Sequence, residues 1–168
     1  MKTFRVLFSA FALLLVFSFS SYALETKCKC VVVGPAASDL RAISAEAASA
    51  QMQADEVEAY LRSSSSPDWE SLVSQMAYLT EDIRHLQNLV ARFEQSEPTL
   101  TEAQHQQLDR LKAGLATLTV FANNTNELIG ERQLVLHRDD LISSAEAMRI
   151  RAGIIRDAAR KLREVQSA

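Results

Sequence analysis

The chain has 168 residues, 48% of them apolar and 23% charged, with 18 basic against 21 acidic side chains. A net charge of −3 argues against a nucleic-acid binder, whose domains are usually basic. Two cysteines are too few to close a four-ligand zinc site within one chain.

Lys2 and Arg5 precede an apolar run from Val6 to Phe19, and Ser21-Tyr22-Ala23 supplies small residues three and one before a cut after Ala23. Residues 1–23 thus read as a secretory signal peptide. The run falls short of the roughly 20 residues that span a bilayer, and no basic stop-transfer cluster follows it. Cleavage would leave 145 of the 168 residues, Leu24 to Ala168, enough for one domain with a modest core. Lys2 and Arg5 would leave with the signal, so the 18 basic residues fall to 16 against 21 acidic ones. The expected address is periplasmic or secreted, where thiols meet oxidising conditions.

Residues 24–35 read as an extended leader, in which Val31, Val32 and Val33 are β-branched and Gly34-Pro35 ends any regular element. It carries Cys28-Lys29-Cys30. Cys28 and Cys30 are candidates for a disulfide or for a soft metal, copper or zinc, with two chains supplying four thiolates. Lys27 and Lys29 would favour the thiolate form, and the spacing differs from the thioredoxin-like pair.

Residues 36–168 predict an all-α domain, an elongated antiparallel bundle or coiled coil of four helices. Leu40, Ile43, Ala47, Ala50, Ala54, Val57 and Leu61 alternate gaps of three and four, the seam pattern of helix packed on helix. Ser63 to Ser66, then Pro67 and Asp68, form a polar turn ahead of a second helix start. Trp69, Leu72, Met76, Leu79, Ile83, Leu86, Val90 and Phe93 continue the rhythm without a miss, ending near Gln95 before Pro98. Thr99 or Thr101 can cap a third helix phased by Leu108, Leu111, Leu115, Leu118 and Ala122. That phase would run through Ile129 to Leu136, whereas Leu141, Ala145, Met148, Ala152, Ile155, Ala159 and Leu162 phase the last helix. The mismatch places a turn between Asn123 and Asp140, with Asn123-Asn124-Thr125-Asn126 as one candidate helix end.

Few chemical signatures accompany these helices. No Gly-x-Ser-x-Gly stretch or glycine-rich phosphate loop occurs, and neither an enzyme nor a cofactor is expected. Asp82 and Glu102 precede His85 and His105 by three residues, the spacing of di-metal bundles, but both histidines point away from the seams. The last helix is basic. Its Arg149, Arg156 and Arg163 recur every seven residues beside the stripe, as candidate contacts for a partner or an anionic membrane surface. Asp39 and Glu46 flank the first stripe at the same interval and could answer those arginines.

Leu100-Thr101-Glu102-Ala103-Gln104 resembles the Leu-Thr-x-x-Gln motif of small exported helical stress chaperones of the bacterial periplasm. It covers five residues and occurs once, where that family is usually recognised by two copies. The resemblance implies a holdase-like role, while a hydrophobic staple and cap would use the same residues. The expected function is non-enzymatic: an exported bundle acting by protein-protein contact as a scaffold, assembly partner or holdase, with a protein partner or a second copy meeting its heptad seams.

Overall fold

The computed structural model of the protein describes residues 35–96 and 99–166. The expected signal peptide, leader, Cys28 and Cys30 lie outside the described residues. Four helices follow in order: α1 (Pro35–Ser63), α2 (Trp69–Ser96), α3 (Glu102–Gly130) and α4 (Arg138–Gln166), with no strand among the described residues. Each has 28 or 29 residues, about 43 Å of helix.

Cross-helix pairs reveal how the helices run. Between α1 and α2, Asp39 meets Arg92 and Glu46 meets His85; between α2 and α3, Glu94, Gln87 and Thr80 meet Lys112, Thr119 and Asn126. Between α1 and α4, Glu58 meets Arg149 and Gln51 meets Arg156. In each set one number rises by seven as the other falls by seven, so neighbouring helices are antiparallel and in heptad register. Each helix touches the next, and α4 closes onto α1, while the diagonal pairs stay out of contact.

The expected seams form the core. Every seam residue of α1 from Leu40 to Leu61 and of α4 from Leu141 to Leu162 is at most 1% exposed, and those of α2 from Leu72 to Phe93 are also buried. The filling is uneven. α2 contributes Leu72, Met76, Leu79, Ile83, Leu86 and Phe93, whereas the buried stripes of α1 and α4 include Ala47, Ala50, Ala54, Ala145, Ala152 and Ala159. Helices separated by methyl groups approach more closely than helices separated by leucines; α1 and α4 make the most extensive contact, and α2 and α3 the least. Gly114 extends the principle to α3, since a Cβ there would stand 3.1 Å from Ile155 Cγ1.

Two expectations need correction. Trp69 is not a seam residue: it opens α2 and remains 37% exposed. Asn123-Asn124-Thr125-Asn126 does not end α3, because Thr125 is buried with its hydroxyl donating to the Phe121 carbonyl at 2.7 Å, and the Asn126 amide donates to Thr80 Oγ1 at 3.4 Å. The Thr125 hydroxyl bonds back one turn along the helix without ending it, and Asn126 is drawn to α2. The turn expected between Asn123 and Asp140 is present: α3 stops at Gly130, α4 starts at Arg138, and Leu134 between them turns inward.

Two substitutions of opposite size test the uneven packing. Ala50→Leu, at 0% exposure on the alanine seam, is expected to lower stability by roughly 1–3 kcal/mol through overpacking. Gly130→Ala, whose Cβ would meet nothing within 4 Å, is expected to raise it by about 0.5 kcal/mol. Urea denaturation followed by circular dichroism measures both.

Candidate functional site

The helix pairs are joined at one end of the bundle by two turns, each held by side chains from its neighbours. In the α1–α2 turn, the Tyr60 hydroxyl accepts from the Asp68 backbone N–H at 2.7 Å. Asp68 Oδ2 accepts from both the backbone N–H and the hydroxyl of Ser71, each at 2.8 Å, capping the first turn of α2. The backbone donor of Ser71 is the leading reason that the Asp68 carboxyl is held below its ordinary value.

The α3–α4 turn spans residues 131–137. Arg132 adopts φ 56°, a left-handed conformation unusual for a residue with a Cβ, and its N–H donates to the Ile129 carbonyl at 3.0 Å. Its guanidinium lies 4.6 Å from the centroid of the Trp69 ring, a cation–π contact that ties this turn to the start of α2. Arg138, the first residue of α4, donates to the carbonyls of Leu61 at 2.7 Å and Arg62 at 3.3 Å. A cation thus satisfies the last acceptors of α1, where the helix dipole is negative.

Outside these clamps several apolar side chains are exposed. Val135 and Leu136 are 77% and 76% exposed at the tip of the turn, and Trp69 and Val73 present one more exposed turn of α2 at the same end. Leu134, 6% exposed, anchors the segment in the core. The result is an exposed aliphatic tip on a turn tied to α1 and α2.

At the other end, Thr101 and Gln104 form a capping box. Gln104 Oε1 accepts from the Thr101 N–H at 2.8 Å, the Gln104 N–H donates to Thr101 Oγ1 at 3.4 Å, and Leu100 packs on the core. The residues of the Leu-Thr-x-x-Gln resemblance therefore do structural work at the start of α3.

The arginines of α4 have partners other than those expected. Arg149 meets Glu58 at 3.2 Å and Asp55 at 3.7 Å, and Arg156 donates to the Gln51 side chain at 2.8 Å. Asp39 and Glu46 serve α2 instead: Asp39, 6% exposed, takes Arg92, and Glu46 takes His85. The reason is position around the helix, since Asp39 and Glu46 lie on the side of α1 facing α2, and Gln51 and Glu58 on the side facing α4. Arg163 also lies on α4, half-buried and engaged in an interaction. The Asp39 carboxylate raises the Arg92 pKa, and Glu94, 2.6 Å from Lys112, raises that of the lysine.

The histidines are on the surface. His85 directs Nδ1 to Glu46 at 3.2 Å and Nε2 to Glu81 at 3.0 Å, so its two nitrogens face different carboxylates, and His105 is exposed on α3. Among the described residues no three His, Cys, Asp or Glu side chains gather for a metal ion. Cys28 and Cys30 lie outside the described residues. The clamps of Arg132 on Trp69 and Arg138 on α1 escaped sequence reading, because neither belongs to a periodic pattern and each joins residues more than sixty apart.

Two measurements examine the turn end. Arg132→Ala is expected to cost roughly 1 kcal/mol by losing the cation–π contact while keeping the backbone strain, whereas Arg132→Gly, which relieves the strain, is expected to be close to neutral in chemical denaturation. Because the Asp68 carboxyl titrates lower in the folded chain than in the unfolded one, its stabilisation is fully present above the ordinary carboxylate value of about 3.9 and fades as pH falls through the folded value. The stability gap between the wild type and Asp68→Ala should therefore be constant at neutral pH and close in acid.

No protein-family model, no curated protein and no solved structure matches the chain.

Proposed function

We propose that the protein is exported and non-enzymatic, and that it works by protein-protein contact, holding apolar segments of other chains at the turn end of its bundle as a holdase-like chaperone or assembly partner. The observation that carries this reading is the Val135-Leu136 tip: two aliphatic side chains, each more than three-quarters exposed, on a turn fixed to α1 and α2 by Arg138 and Arg132. A folded domain gains nothing from such exposure, and a contiguous apolar surface is what a binding partner covers. Trp69 and Val73 widen the surface at the same end, and aromatic side chains commonly anchor protein contacts. Export is supported by the run from Lys2 to Ala23. The non-enzymatic reading is supported by ionisable side chains that pair with one another on the bundle surface, as Asp39 does with Arg92 and Glu58 with Arg149.

The test is suppression of aggregation. The wild type should slow the light-scattering rise of an unfolding client protein, and Val135→Ser, Leu136→Ser together should remove most of that effect while leaving helix content unchanged. A wild type without effect at excess over client would end the holdase reading, and an undiminished double variant would move the contact away from the tip.

A further inference from the structure

The exposed face of α1, outside its buried seam, carries a second stripe with heptad spacing. Arg41, Ala45, Ala48, Met52, Asp55 and Ala59 alternate gaps of four and three, and all six are exposed. Its middle is smooth except for Met52, which stands 56% exposed. Beside Ala45 an open groove of about 490 Å³ runs between α1 and α2, with Ala42 and Leu89 among its apolar lining. One helix thus presents an apolar knob and, seven residues before it, a hole.

Its charges are ordered along the helix. Arg41 is basic on the N-terminal half of the stripe, and Asp55 and Glu56 are acidic on the C-terminal half. Asp55 lies 3.7 Å from Arg149, but Arg41 and Glu56 have no ion pair or hydrogen bond among the described residues. A face that is positive at one end and negative at the other complements itself only when turned end for end.

We propose that a second copy of this chain covers this face, with α1 lying antiparallel on α1 about a two-fold axis beside Ala48 and Ser49. The register that pairs the helices inside the bundle, one number rising as the other falls, then sets Arg41 opposite the second copy's Glu56. It also sets Ala45 opposite the second copy's Met52. Both pairings occur twice by symmetry, as an isologous contact requires. Ala45 and Ala48 let the two backbones approach, and each Met52 enters the other copy's groove against Ala42 and Leu89, a shape that its flexible thioether accommodates. A parallel arrangement would set like charges together, so the charge order selects the antiparallel dimer. This inference stands apart from the proposed client-holding tip, which lies beyond the C-terminal end of α1.

Light scattering after size exclusion tests it, with reductant present throughout so that a disulfide at Cys28 or Cys30 cannot supply the dimer. The wild type should show twice the monomer mass at high concentration. Arg41→Glu and Glu56→Arg should each return it to the monomer, and the two changes together should restore the doubled mass. Met52→Glu should also yield the monomer, with helix content unchanged because the side chain is exposed. A wild type that is monomeric at every concentration overturns the proposal, as does a dimer indifferent to Arg41→Glu and Met52→Glu. A monomer that uses the Met52 face to bind a different protein overturns it as well. The Val135→Ser, Leu136→Ser variant should keep the doubled mass, which separates this contact from the tip.

Discussion

Close approach of α1 and α4 across methyl groups is the constraint on which the bundle depends. Ala47, Ala50 and Ala54 of α1 and Ala145, Ala152 and Ala159 of α4 are all buried in the core, and these two helices, farthest apart in sequence, make the most extensive contact. Alanine buries little area, and at about 25 cal/mol per Å² it contributes less than leucine would. Its contribution is geometric. By drawing α4 against α1 it closes the ring of helices, and the larger side chains of α2 then fill the middle. Enlarging one side of such a core pushes against residues already at van der Waals contact, as Gly114 beneath Ile155 illustrates.

The polar flanks follow from that geometry. Once antiparallel neighbours are set, side chains seven residues apart on one helix meet side chains seven apart on the next, which is why Asp39 and Glu46 find Arg92 and His85 while Glu58 and Gln51 find Arg149 and Arg156. Exposed pairs of this kind contribute less than about 1 kcal/mol each. Their repetition matters more than their strength, because a register slip would break every pair on a flank together. Glu58 shows the economy of the arrangement, bridging Arg62 on its own helix and Arg149 across the seam.

Function on this scaffold is a matter of what the bundle leaves uncovered. With the described seams buried inside one chain, the exposed apolar side chains, among them those at the turn end and Met52 on α1, are surfaces open to contact. The turn end is tied to its neighbours by Arg132, which takes a left-handed backbone and lies over Trp69, and by Arg138, which closes the carbonyl end of α1.

The seams were legible in the sequence by itself, because burial along a helix is a periodic, local signal: the first, second and fourth stripes predicted nearly every core residue of α1, α2 and α4. The polar turn from Ser63 to Asp68 and the cap at Thr101, one of the two threonines offered, were legible for the same local reason. What failed was local in appearance only. Trp69 fits the stripe by spacing, yet it sits at a helix start where the neighbouring layer is a turn, so its ring meets Arg132 instead of the core. The run from Asn123 to Asn126 looks like a helix end until Phe121 and Thr80 are seen to supply its partners. Which helix stands beside which, and therefore which charges meet, was decided by tertiary structure alone. The heptad pattern says that each helix needs neighbours, whereas side-chain volume across all four seams determines how closely each pair of neighbours packs.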